Sequence, residues 1–419
     1  MNLQHLTLTE AKRLIQEREI TPLELTQAIL ERIDRVNPIL NCYLSIFREE
    51  ALRKAERLSK ALKERRSLNP LYGIPIGIKD LIAVRNHPLR AGSKIWAGYI
   101  SDQDAKAVER LRHSGAVFVG YHNMHEIALG VTNLNPHFGA VRNPWRTDRI
   151  SGGSSGGSAV AVVSGLCLGA LGTDTGGSIR IPASLCGAVG LKPTFGRVSL
   201  RGVLPLSWNL DHVGPLGRCV EDVAWLYRLI AGYDPQDAVS APKPLQNPLP
   251  RLKDGVKGLR IALAADDFFT QAESEISQAV RSAAEVLRDL GAVVEEASIP
   301  SGLLAAQTNG LMVISDAAAI YERQLAEQSH LFGEDVLQRL RNGAAVTVGQ
   351  YIQARRTQTI LQKEFRSFFK RYDLLLTPTT PIVAPPIEGR DSVEAAKILT
   401  RFTAPFNLTG LPAISLLRL

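Results

Sequence analysis

The chain has 419 residues, 45% of them hydrophobic and 6% aromatic, which is enough apolar material for a large core and a globular chain throughout. Lys plus Arg number 49 and Asp plus Glu 41, a formal net charge of +8, but the excess is dispersed and the basic runs Lys63–Arg66 and Arg355–Arg356 are short, which argues against a specific nucleic-acid surface. The N-terminus lacks a basic region followed by an apolar stretch, no charge-free apolar run approaches ~18 residues, and Cys42, Cys167, Cys186 and Cys219 lie far apart without metal-ligand spacing. A cytoplasmic protein with reduced cysteines, and neither export nor a membrane span, is the expectation.

In chain order, Thr7-Leu-Thr-Glu10 and Thr21-Pro-Leu-Glu24 are capping-box patterns ahead of helical apolar spacing, and a third helix is predicted over Glu49–Arg65. Tyr72–Lys79 is a short apolar run with glycines. Asp104–Ser114 reads as an amphipathic helix ended by Gly115, and Ala116–Gly120 as a buried strand, which makes a strand-helix-strand unit. A second such unit is predicted from Leu259–Ala264 through a helix over Glu273–Leu290 to Ala292–Glu295. Helical periodicity returns over Val346–Phe369, and Asp373–Pro378 reads as another buried strand. The fold class is therefore α/β, a mixed sheet covered by helices on both sides. Residues 1–68 form an N-terminal helical segment packed on a core domain of residues 69–419.

The most informative segment lies between Ile150 and Arg180, which holds nine glycines and six serines. A linker would be similarly small and polar, but Ala159–Leu171 between the two glycine runs is apolar and reads as buried helix and strand. The glycines therefore belong inside a core, where such a run lets backbone pass close to something or aim several N–H groups at one point. Serines beside it are candidate nucleophiles.

Gly73–Asp80, Arg142–Trp145, Gly152–Ser158, Gly172–Arg180 and Gly190–Gly196, in that order and spacing, resemble the amidase signature family over most of the chain. The resemblance implies hydrolysis of carboxylic amides by a Ser-Ser-Lys triad without metal or organic cofactor. Matched position by position, Ser178 is the nucleophile, Ser154 the bridging serine after a cis Gly153–Ser154 peptide, and Lys79 the base. A serine at its ordinary pKa needs a base within hydrogen-bond reach, and lysine serves only if burial or neighbours lower a pKa of ~10.4 by several units. Ile74, Ile76 and Ile78 supply apolar surroundings for Lys79. The backbone N–H groups of Thr175, Gly176, Gly177 and Ser178 are the candidate oxyanion hole. Asp174 and Arg180 are expected to support that loop as a buried pair, and Ser155 is the rival of Ser154 for the bridging role.

Other chemistries have weaker signals. Asp211-His212 suggests a Ser-His-Asp triad, but sequence adjacency of acid and base is not how such triads orient the imidazole, so His212 is expected to be structural. His122 and His125 lack His-Glu-x-x-His spacing and an obvious third metal ligand, and neither glycine run ends in Gly-Lys-Ser/Thr. The resemblance puts Met124 and His125 along the substrate cleft. It puts the acyl pocket largely in Asp266–Arg371, where neither Arg339 nor Arg356 receives a role. The family includes free-standing amidases and the glutaminase component of glutamyl-tRNA amidotransferase, which releases ammonia from glutamine for a partner subunit. Glu126–Gly139 looks more like the former, which makes a small-molecule amide the expected substrate. Relatives extend beyond the segment matching Phe402–Ser415. This chain stops at Leu419, so a sheet edge covered by a second copy or a partner subunit, or a truncated and catalytically weak form, is a further expectation.

Overall fold

The threonines that open the first two helices show how local sequence sets the chain's path. Thr7 and Thr21 each accept the backbone N–H of the glutamate three residues on, whose carboxylate takes the threonine's own N–H, and helices Leu8–Gln16 and Pro22–Leu40 follow. The structure, a computed structural model, describes residues 2–64, 67–299, 301–389 and 391–416. The third helix spans Arg48–Leu62; its predicted end, Arg65, and Arg66 of the basic run lie outside the described residues.

The strands in chain order are β1 (Tyr43–Ile46), β2 (Pro75–Lys79), β3 (Val117–His122), β4 (Leu134–Asn135), β5 (Gly139–Ala140), β6 (Gly169–Thr173), β7 (Val189–Lys192), β8 (Val213–Gly217), β9 (Arg260–Ala264), β10 (Val293–Ala297), β11 (Leu374–Leu376) and β12 (Ala413–Ser415). Seven form a mixed sheet in the order β1-β3-β2-β6-β8-β7-β12. The predicted strand-helix-strand unit is β2, helix Lys106–His113 and β3, with its two strands parallel. On its other side β2 runs parallel to β6, with Ile78 opposite Leu171, so the carboxyl ends of β2 and β6 lie side by side.

Every residue of β2, β3, β6 and β8 is buried. That is the pattern of a sheet covered on both faces. Leu8, Ile15, Leu25 and Ile29 of the first two helices join the same core as Ile76, Val119 and Leu171, and β1 pairs with β3. The first two helices thus belong to this core, and β1 is a strand that periodicity did not reveal.

The second predicted unit, β9, helix Ser274–Asp289 and β10, forms with the expected parallel pairing. It does not extend the main sheet. With β11 it makes a separate three-stranded sheet, because a strand-helix-strand unit looks the same locally whichever sheet it joins. Among the described residues one helix, Gly302–Ile320, is long and apolar enough by length and composition to cross a membrane. Here it is a core helix: Met312 and Ala317 are buried, and Asp316 accepts hydrogen bonds from the hydroxyls of Ser207 and Tyr351.

Candidate active site

Lys79 is the last residue of β2 and Thr173 the last of β6, so the parallel pairing brings both to the carboxyl edge of the sheet, where open α/β sheets bind ligands. Lys79 is fully buried, and its Nζ lies 2.7 Å from Ser154 Oγ and 2.8 Å from Thr173 Oγ1. Among the described residues no carboxylate pairs with it. Burial drives its pKa well below the ordinary lysine value, against the weaker upward pull of Asp174 and Asp211.

Ser154 follows a cis peptide bond with Gly153 and is itself fully buried. Its carbonyl accepts the N–H of His125 at 3.2 Å. Ser155 N–H donates to the carbonyl of Ser178 at 3.1 Å, so the turn carrying Ser154 is bonded directly to the loop carrying Ser178. The Ser155 hydroxyl donates to the Thr173 carbonyl at 3.1 Å and accepts the Thr173 N–H at 3.2 Å. Both bonds of that hydroxyl go to backbone, a fastening role distinct from the contact Ser154 makes with Lys79. Helix Gly156–Val163 then starts at Gly156, and a Cβ at Gly157 would lie 2.3 Å from the Asn123 carbonyl oxygen, so backbone approach enforces that glycine.

The loop from Asp174 to Arg180 is shaped by one carboxylate. Asp174 accepts the N–H of Gly177 at 2.8 Å and of Ile179 at 3.2 Å, the Arg180 guanidinium at 2.9 and 3.0 Å, and the Asn407 amide at 2.8 Å. Burial pushes its pKa up, but Arg180, with help from Lys192 and Asn407, outweighs this and holds it below the usual carboxylate range. Arg180 also donates to the carbonyl of Thr403 at 3.0 Å and to Asn407 Oδ1 at 2.6 Å.

This arrangement corrects one expectation for the oxyanion hole. The Gly177 N–H is already given to Asp174, and the N–H groups of Thr175, Gly176 and Ser178 are those without an acceptor among the described residues. Gly177 serves through its conformation: φ is +140°, and a Cβ there would lie 2.3 Å from Thr403 Oγ1. The Thr403 hydroxyl donates to the Gly176 carbonyl at 2.6 Å, Asn309 donates to the Thr175 carbonyl at 3.3 Å, and the Thr175 hydroxyl donates to Asp211 at 2.6 Å. The sequence assigns no role to Thr173, Asn309, Thr403 or Asn407. Thr173, Thr403 and Asn407 stand within segments that match the family, whereas Asn309 does not.

The histidines have other work. His212 Nδ1–H donates to the Leu210 carbonyl at 2.7 Å and its Nε2 faces Lys192 at 3.2 Å, whereas Asp211 accepts backbone N–H groups of Leu206 and Ser207. Acid and imidazole take separate partners, so Asp211 and His212 do not form the acid–base pair of a Ser-His-Asp triad. His122 turns to Ser158 at 3.1 Å and His125 Nε2 to Asp335 at 3.0 Å, so these two also diverge. Met124 is fully buried beside Gly92. All four cysteines are free thiols.

The profile of the amidase family matches residues 24–418. The chain belongs to the amidase family. Among curated relatives, the A-type subunit of the glutamyl-tRNA(Gln) amidotransferase of Chloroflexus aurantiacus is 38% identical over 436 residues, spanning 98% of this chain and 90% of the relative. Its namesake from Moorella thermoacetica is 37% identical over 440 residues, spanning 99% and 90%. Among solved structures, a chain from a vestigial protein complex tied to the origins of an s-triazine catabolic enzyme superposes with a TM-score of 0.93 at 32% identity, covering 98% of this chain and 90% of that one. The peptide amidase of Stenotrophomonas maltophilia superposes at 0.86 with 31% identity and coverage of 98% and 90%. These relatives support an amide-hydrolysing enzyme.

Proposed function

We propose that this enzyme cleaves a carboxylic amide to an acid plus ammonia or an amine through an acyl-enzyme on Ser178. The observation that carries the reading is the setting of Lys79: buried, depressed in pKa, and bonded to two hydroxyls with no carboxylate partner among the described residues. A neutral amine there has a lone pair for the Ser154 proton, and Ser154 in turn takes the proton of Ser178 as its Oγ attacks the carbonyl. The oxyanion accepts N–H groups from among those of Thr175, Gly176 and Ser178, each worth ~3–4 kcal/mol in a working site. On collapse the proton returns through Ser154 to the departing nitrogen. Water then attacks the ester by the same route, releasing the acid and restoring the Ser178 hydroxyl.

The names of the curated relatives favour a second reading, a glutamine-hydrolysing component of an amidotransferase that works with partner subunits. Treating the protein and its Ser178→Ala variant with a fluorophosphonate, and locating the adduct by peptide mass, tests the nucleophile. An adduct at Ser178 that is absent from the variant is expected, and labelling elsewhere with Ser178 untouched would overturn the mechanism. A panel of glutamine, aliphatic and aryl amides then separates the readings, since selective ammonia release from glutamine supports the second.

A further inference from the structure

A cavity of about 900 Å³ lies between helix Gly302–Ile320 and helix Ser392–Thr400, walled largely by Phe268, Leu303, Ala306, Ile382 and Ile398. It abuts the catalytic loop. Thr400 lines it, and Thr400 Cγ2 is 4.0 Å from where a Cβ on Gly176 would stand; Gly310 lines it too, next to the Asn309 that holds the Thr175 carbonyl.

Three charged side chains border this space: Glu273, Lys397 and Arg401. Two are already engaged. Lys397 pairs with Glu394 at 3.1 Å, and the Glu273 carboxylate accepts the Val383 N–H at 3.0 Å. Arg401 differs. Its guanidinium lies over the rings of Phe268 and Phe402, at 5.0 and 5.6 Å from their centroids, and donates once, to the Gln271 side-chain oxygen at 2.7 Å. Its Nε–H is enclosed without an acceptor, and no described carboxylate pairs with it. A guanidinium set against two aromatic side chains with its Nε–H left free is placed to donate to the oxygen of a planar anion such as a carboxylate. An enclosed donor without an acceptor is costly to keep, and a ligand oxygen would relieve that cost.

We infer that Arg401 binds the carboxylate of the amide substrate, and that the substrate is a monoamide of a dicarboxylic acid whose apolar chain lies along the Phe268, Leu303 and Ile398 wall. This rests on the proposed amidase reading and names its substrate class. The carboxylate would meet Arg401 while the amide reaches the loop of Thr175 to Ser178, which this space approaches at Thr400. Glu273 borders the same space, so a second negative charge on the chain would be disfavoured.

The test compares kcat/KM for glutaramate with that for pentanamide, which has the same chain without the carboxylate, in the wild type and in Arg401→Gln and Arg401→Lys. In parallel, glutarate is tested for slowing of fluorophosphonate labelling at Ser178. Expected are at least a tenfold preference for glutaramate in the wild type, its collapse in Arg401→Gln through KM, partial retention in Arg401→Lys, and glutarate protection that is lost in Arg401→Gln. Equal use of the two amides by a wild type that labels at Ser178, or glutarate protection that survives Arg401→Gln, would overturn the substrate assignment and leave the mechanism standing. Absence of labelling at Ser178 would overturn the mechanism and this inference with it.

Discussion

Two fully buried lysines end strands of the same sheet, Lys79 on β2 and Lys192 on β7, and burial drives both far below the ordinary lysine pKa. Their surroundings differ. Lys79 meets the hydroxyls of Ser154 and Thr173, which carry protons that can move, whereas Lys192 meets the Pro193 carbonyl at 3.0 Å and His212 Nε2 at 3.2 Å, both of them acceptors. A depressed pKa therefore does not by itself mark a base. The neighbour must have a proton to give, and the amine must be one step from a nucleophile. Near Lys192 the neighbours instead tie the strand end to the segment carrying His212, which also backs the Asp174 carbonyl.

The sharpest way to break this comparison is to replace each lysine by methionine, which keeps the length and removes the nitrogen. Lys79→Met is expected to lower kcat by ~10²–10⁴, the usual contribution of a positioned general base, while Lys192→Met stays within about tenfold of wild type on that scale. Steady-state kinetics on any amide the enzyme accepts decides the matter. Equal losses in the two folded variants would mean that Lys79 has no special chemical role.

The next effect is on stability and belongs to Asp174. Replacing it by alanine leaves the Arg180 guanidinium buried without its carboxylate and frees the N–H groups of Gly177 and Ile179. Breaking one side of a buried pair costs about 3–5 kcal/mol, so the denaturation midpoint of Asp174→Ala should fall steeply. Asp174→Asn, which keeps acceptor capacity on one oxygen, should fall less.

Much of this was legible in the sequence, and the gaps have physical causes. Lys79, Ser154 and Ser178 stand in glycine-rich motifs because a loop that must pass between packed strands leaves no room for side chains, and that constraint shows in composition. β2, β3, β9 and β11 were legible as apolar runs with turn signals. β1 was not: Tyr43–Ile46 is four residues long, only one of them buried, and its identity as a strand comes from pairing with β3. Thr403 and Asn407 reach the catalytic loop from more than 220 residues away, through hydrogen bonds whose partners no local pattern encodes. The second sheet was invisible for the related reason that membership of a sheet is decided by tertiary packing.

The two lysines also predict a pH dependence of stability. Each has a folded pKa below its unfolded value, so between those values the unfolded chain binds more protons than the folded one, and stability rises with pH until the unfolded lysine titrates near ~10.4. Each contributes a slope of up to ~1.4 kcal/mol per pH unit in that window. Urea unfolding between neutral pH and pH 10 should therefore show a smaller rise in Lys192→Met than in the wild type. Identical slopes would indicate that Lys192 is charged in the folded protein. Activity follows the same sign and should fall as pH drops through the folded pKa of Lys79.

The smallest expected effect tests whether the shape of the loop, separately from its charge, sustains the site. Thr403 Oγ1 donates to the Gly176 carbonyl and lies where a Cβ on Gly177 would stand, so it fixes the backbone between the candidate oxyanion donors from outside the loop. Thr403→Val keeps the volume and removes the hydroxyl, at a cost of about 0.5–1.5 kcal/mol for one such bond, more if the carbonyl finds no water. A drop in kcat with little change in KM is the expected signature, because donors aimed at a developing oxyanion act on the transition state more than on the bound amide. A loss confined to stability, with kcat unchanged, would mean that the Gly176 carbonyl is positioned well enough by Asp174 and Asn309 alone. The comparison would then narrow to the single contact between Lys79 and Ser154.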